Sequence, residues 1–385
     1  VDLEQPSKGL GVPYQPGVVC ATGVRHISTR SRVWRGGTGG SCTDVRPRAL
    51  SPDVPCPSRG AGSPSRDFTH RGLMPRPRPL PDHLLGSAFI TAELTATGLP
   101  AGRVRAADLE RVCRGVHVPV GCHPQGERSV VAAVARLVGG AISHVTAARL
   151  WGMPLPSRLE QDPRLHLSVD RARRSHTSAL PGVMVHRRPV PDADVVTVGG
   201  YLVTTVERTW RDVAALLRPH ELEHLVAAAD WAVQPRWTPS GRRPALTSVA
   251  LLRRGVERSR RFVGRAMCRQ ALGLARVGAD SPPETFVRLA LVDAGLPEPD
   301  LQVSLDPADP WAPRVDLAYP QWRLAIQYDG AAHRDADQQA RDARRDGYGQ
   351  ERGWMTLRVT SADRADGYAR VIRAVRRRAD EFIVA

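Results

Sequence analysis

The sequence predicts an α/β protein of the multidomain α+β kind, and three observations carry that expectation. The chain has 385 residues, 42% of them hydrophobic, which is enough for two or three domains, each with its own core. Segments of helical period alternate with short apolar runs of strand type along most of its length. The last hundred or so residues read as α-β-β-β-α-β-α, a mixed sheet flanked by helices and of ordinary domain size.

Residues 1–73 lack hydrophobic periodicity and are rich in Arg, Gly, Pro and Ser. Such a stretch cannot bury enough apolar surface to offset its ordering entropy, so it is expected to be disordered. The first methionine is Met74. The natural product is expected to start there, the preceding stretch being an over-extended N-terminus; a disordered basic arm is the alternative.

Residues 81–121 read as a small unit of two helices and a hairpin. Leu84, Leu85, Phe89 and Leu94 give helical spacing, Thr91 is the expected N-cap, and Gly98 closes the helix. Pro100 opens a second helix, expected to run to Leu109 with Arg103 and Arg105 exposed. "RVCRGVHVP" then alternates about Gly115 as a hairpin. Helix, tight turn, helix and hairpin is the order of a winged helix-turn-helix. Its second helix would enter a major groove, with Arg103 and Arg105 reaching phosphates or bases.

Residues 128–233 form the expected mixed middle domain. "ERSVVAAVARLVGG" and "AISHVTAARLWGMPLP" read as helices. "RLHLSVD", "GVMVHRRPV" and "VVTVGGYLVTT" read as strands, and the segment to Val233 as two more helices. Ser143 is expected as a cap and His144 as a surface residue, because neighbouring helical side chains diverge. Residues 234–280 read as a linker followed by one basic helix. Residues 281–385 complete the chain as the α-β-β-β-α-β-α unit, its first helix marked by Ser281 and two prolines.

The net charge of +16 favours a polyanionic partner, DNA first. Lys8 is the only lysine, so part of the excess reflects arginine-rich coding. No apolar stretch approaches the roughly 20 residues of a membrane span, so no membrane partner is expected. The six cysteines lack paired spacing, which reads as a reduced, cytoplasmic protein. Cys113, His117, Cys122 and His123 lie close together, but at a spacing that matches no standard zinc knuckle.

The chemistry concentrates in "RVDLAYPQWRLAIQYDGAAH". Side chains alternate along a strand, so Gln327 and Asp329 share a face. Asp316, on the preceding strand, is expected beside them. Glu284 would reach the same point from the covering helix, and His333 would return just after the strand. Oxygen ligands gathered this way suit Mg²⁺, with Asp316, Asp329 and Glu284 as ligands and His333 as a proton relay.

The N-terminal segments "FITAELTATGLPAGRVRAADLERVCRGVHVP", "ISHVTAARLWGMPLP" and "VTTVERTWRDVA" resemble the winged-helix antitoxin-like family of type IV abortive-infection systems. That resemblance spans about Leu84 to Ala232 and implies DNA binding through the small N-terminal unit. From Ser281 to Phe382 the chain resembles the PD-(D/E)XK nuclease superfamily, within it the very-short-patch-repair-like endonucleases. The carriers are Glu284, "VDLAYP", "LAIQYDGAAH", the arginine-rich "QQARDARRDGY" with Arg341 and Arg345, and the late strand in "ERGWMTLRVT". The resemblance implies a restriction-endonuclease-like fold, metal-dependent phosphodiester hydrolysis, and a site of Glu284, Asp316, Gln327, Asp329 and His333. Two departures stand out: Gln327 replaces the usual carboxylate of the third strand, and the motif lysine is absent. An active but slowed nuclease and a non-enzymatic antitoxin-like regulator with a degenerate nuclease fold are therefore both open.

Overall fold

Leu80, Leu84, Phe89, Leu94 and Leu109 form a small core of their own and fix the first unit. In a computed structural model that describes residues 77–121, 127–170, 180–238, 241–259, 261–330 and 336–384, this unit holds α1 (Asp82–Leu85), β1 (Phe89–Ile90), α2 (Thr91–Ala96), β2 (Leu109–Cys113) and β3 (Val116–Pro119). The strands pair antiparallel in the order β1-β3-β2. Ile90, not Thr91, is the N-cap of α2: the Glu93 carboxylate reaches back to accept from the Ile90 N–H at 2.9 Å. The second helix, expected to run from Pro100 to Leu109, is only a 3-10 turn, Ala101–Arg105. The cause is Arg103. Its guanidinium donates to both Asp108 carboxylate oxygens at 2.8 and 2.6 Å and to the Arg78 carbonyl at 2.7 Å. That pairing folds the chain back toward β2 and buries Arg103, against the expectation of exposure.

The middle region contains α3 (Glu127–Val138), β4 (Ala141–Ile142), α4 (His144–Trp151), α5 (Ser157–Glu160), β5 (Leu165–Val169), β6 (Val183–Arg187), β7 (Val195–Val198), β8 (Tyr201–Thr204), α6 (Val206–Ala214) and α7 (Leu222–Val233). Its mixed sheet has the order β6-β5-β4-β8-β7. One core joins Val131, Val134, Ile142, Leu167 and Val203 to Val116 and Val118 of the first unit. A second core gathers the helices around Trp210, whose indole donates to the Leu225 carbonyl at 2.9 Å.

The stretch read as a linker contains a short ribbon of β9 (Arg236–Thr238) and β10 (Gly241–Arg243). The single basic helix expected after it is two, α8 (Val249–Arg258) and α9 (Arg265–Leu274). The break falls at Gly264, whose φ of 90° is left-handed and whose Cβ, if present, would sit 2.7 Å from the Ala214 carbonyl. Leu252, Val256, Cys268 and Leu272 are buried in the Trp210 core, so these helices are structural on one face.

The last region is α10 (Pro282–Asp293), β11 (Asp300–Ser304), β12 (Arg314–Tyr319), β13 (Leu324–Tyr328), α11 (Ala336–Glu351), β14 (Met355–Val359), α12 (Ser361–Ala365) and α13 (Ala369–Val384). The α-β-β-β-α-β-α reading holds, with the short α12 added. Strands β11, β12 and β13 are antiparallel neighbours, and β14 joins β13 in parallel after the α11 crossover. Phe286, Leu291, Leu317, Ile326, Val359 and Val371 pack on one face of this sheet.

A buried ion pair links α7 to α10. Arg288 and Asp230 have side chains only 1% exposed and meet at 2.9 Å. Thr285 also donates to Asp230 at 2.9 Å, and Arg288 donates to Glu298 at 2.7 Å. Among the described residues, no helix is long and apolar enough to cross a membrane.

Candidate functional site

Strands β12 and β13 pair Leu317 with Ile326, and one step along the register sets Asp316 across from Gln327. The Asp316 carboxylate accepts the Tyr328 N–H at 2.8 Å and a hydrogen bond from the Gln327 side chain. With its amide nitrogen engaged there, the Gln327 Oε1 atom is buried without a hydrogen-bond partner among the described residues. Glu284 comes from the first turn of α10 and is 5% exposed. Ser281 Oγ donates to it at 2.7 Å and the Asp280 N–H at 2.9 Å.

These acids are held against their charge. Burial, and next the facing Asp316 charge, push the Glu284 carboxyl up to about 7. Burial also raises Asp316, opposed by the Tyr328 N–H, the Gln327 amide and the nearby Arg345 guanidinium. A buried and a half-buried carboxyl, both disfavoured as anions and next to Gln327, form a place that gains from an added cation. Among the described residues, no three His, Cys, Asp or Glu side chains form a metal-holding group. The set is instead two carboxylates and one neutral oxygen, a donor set that suits Mg²⁺ with most of its waters retained.

The other expected site residues distribute differently. The Asp329 N–H donates to the Val359 carbonyl at 2.7 Å, and its carboxylate lies 3.7 Å from Arg358. Arg358 also binds Asp346 at 2.6 Å and stands 3.9 Å from Asp342. Asp329 thus belongs to an ion network on the α11 side. His333 lies outside the described residues, as does the side chain of Arg341 on α11. Arg345 is half-buried and pairs with Asp342, its Nε is buried without a partner among the described residues, and its charge favours the Asp316 anion. Arg105 is exposed as expected, and Arg111 and Arg114 on the hairpin are exposed too, a basic edge that the sequence reading did not single out.

A second cluster escaped the sequence reading. His144 is buried, not on the surface, and stacks on His186 with ring centroids 3.5 Å apart. His166 Nδ1 lies 3.0 Å from His186 Nε2. Ser168 donates to Ser143 at 2.8 Å, and Ser143 Oγ meets His144 Nδ1 at 2.9 Å. Burial lowers all three imidazoles, His186 to about 4, so they are neutral at pH 7. The missed signal was alternation: His166 and Ser168 share the face opposite to Leu167, and β6 pairs His186 with Ser168. His117 is likewise buried and bonded to Thr91 at 3.0 Å, while Cys122 and His123 lie outside the described residues.

No family model matches the chain, and no solved structure does. Two proteins of Mycobacterium tuberculosis, "Uncharacterized protein Rv2248" and "Uncharacterized protein MT2308", are each 32% identical to it over 220 residues, 57% of this chain and 73% of theirs. The chain therefore belongs to the family of these two mycobacterial proteins.

Proposed function

We propose that this chain acts on DNA, with a Mg²⁺-dependent endonuclease site in its C-terminal α/β region. One observation carries the reading: buried Glu284 and half-buried Asp316 feel each other's charge next to Gln327, whose Oε1 has no partner among the described residues. The topology β11-β12-β13-β14 under α10, with α11 as a crossover, agrees with a restriction-endonuclease-like fold and so with the very-short-patch-repair-like resemblance. Asp316 and Gln327 would hold Mg²⁺ directly and Glu284 through water; Mg²⁺, when bound, supplies charge neutralisation at the scissile phosphate. Tyr328 N–H and the Gln327 amide orient the Asp316 carboxylate. Glu284, poised near neutrality, would accept a proton from the attacking water, and Arg345 would stabilise phosphate charge from α11. The N-terminal unit, read as a winged helix, would seat on DNA through Arg105, Arg111 and Arg114.

A second reading rests on a specific observation. Glu284 already accepts two hydrogen bonds at its own helix start, and Asp329 is paired with Arg358. Those contacts suit a non-enzymatic antitoxin-like regulator whose nuclease fold only holds DNA. Incubation of wild type and Asp316→Ala with single- and double-stranded DNA in Mg²⁺ or Mn²⁺ separates the two. Cleavage by wild type and none by the variant supports hydrolysis. DNA binding with both proteins inert leaves the regulator.

A further inference from the structure

A cavity of about 1000 Å³ opens in the middle region, apart from the acid pair. The end of β6 and the loop after it form one side, α6 another, and the segment between α8 and α9 closes it. Its described lining carries five guanidinium groups, from Arg187, Arg188, Arg208, Arg211 and Arg261, against the carboxylates of Asp194 and Asp212. Arg208 and Arg211 are buried there, and Arg187 and Arg261 are exposed, so positive charge extends from inside the cavity to solvent.

The two aspartates orient Arg208 and Arg211. Arg208 donates through Nε to Asp212 at 2.9 Å, and through Nη1 to Asp194 at 2.8 Å and the Pro189 carbonyl at 3.1 Å. Asp194 also receives Arg211 at 2.8 Å and Arg258 at 3.3 Å, so one carboxylate serves three arginines. Guanidiniums fixed in this way need little reorganisation to grip a phosphate. Phe262 and Val263 supply an apolar wall beside them, with the Arg211 guanidinium 5.4 Å above the Phe262 ring. Behind His186, which lines the cavity, the stacked His144 has a left-handed φ of 50°. A histidine held there is strained, and such strain concentrates where a fold serves a ligand.

We propose that this cavity binds a nucleoside carrying a terminal phosphate, the phosphate on the arginines and the base against Phe262. The chemistry is shared by a free nucleotide and by the 5′-phosphorylated end of a nucleic acid. It does not depend on cleavage at the acid pair.

The test is calorimetric titration of the full chain with four probes: inorganic phosphate, deoxyadenosine 5′-monophosphate, and one oligodeoxynucleotide with either a 5′-phosphate or a 5′-hydroxyl. Saturable binding of the mononucleotide is expected, with about tenfold loss in Arg261→Glu and in Arg188→Gln, and recovery in Arg261→Lys. Asp316→Ala should bind as wild type does, which separates this site from the cleavage site. Mononucleotide binding as tight as that of the phosphorylated oligomer identifies a free nucleotide as the ligand. Tighter binding of the phosphorylated oligomer than of its hydroxyl form identifies a nucleic-acid end. No saturable nucleotide binding, binding of inorganic phosphate alone, or equal affinity in wild type, Arg261→Glu and Arg188→Gln (all with unchanged thermal midpoints) overturns the proposal.

Discussion

Glu284 and the three histidines show how single buried groups set opposite pH responses. For Glu284 the folded state holds its proton up to about 7, against an ordinary value of 4.5. Between those values the folded state binds more protons, so stability falls as pH rises through that window. The upper bound of the effect is about 3 kcal/mol at pH 8. In metal-free buffer, Glu284→Gln should flatten the part of the stability change between pH 5 and pH 8 that wild type owes to this carboxyl, read by urea denaturation. Identical pH slopes in the two proteins would show that Glu284 is not buried as described. The imidazoles run the other way. His186 is lowered from 6.5 to about 4, so the unfolded chain binds more protons in that window and stability is lost as pH falls through it. His186→Gln should therefore lose less stability than wild type between pH 7 and pH 4.5, and an equal loss would contradict the buried stack.

At the scale of elements, the joint between α7 and α10 is the most sensitive point. Arg288→Leu leaves the Asp230 carboxylate buried without its cation, and should cost about 3–5 kcal/mol. The double variant with Asp230→Leu should recover most of that loss, measured by thermal unfolding, because the pair is replaced by apolar packing. What the sequence made legible at this scale followed periodicity. Leu324, Ala325 and Ile326 form an unbroken buried run, and β12 and β13 were readable from it. The order around Asp316 and Gln327 was readable for the same reason. The second N-terminal helix was not, because its shortening depends on one ion pair, Arg103 with Asp108, which leaves no periodic trace. Nor was the break at Gly264, which depends on how closely the chain passes Ala214. Asp329 shares a strand face with Gln327, yet Arg358 on the neighbouring parallel strand attracts it, a pairing invisible before β14 is placed.

For the whole molecule, charge and shared cores matter most. The core that holds Val116 and Val203 joins the N-terminal unit to the middle sheet, and Leu289 of α10 lies in the Trp210 core. The C-terminal region is thereby tied to the middle region at more than one place. If the exposed arginines of the N-terminal unit contact phosphates, DNA affinity should fall steeply with salt. Arg105→Ala and Arg111→Ala should each lower the slope of log affinity against log salt by about one. Unchanged slopes would place DNA elsewhere on the surface. The acid pair faces the most direct test. Single-turnover cleavage of one duplex, measured across a Mn²⁺ titration, compares wild type, Gln327→Glu and Asp316→Ala. A metal-dependent rate is expected for wild type, a rate at least several-fold higher with saturation at lower Mn²⁺ for Gln327→Glu, and none for Asp316→Ala. Equal rates in all three proteins, or no cleavage even with the restored carboxylate, would contradict it.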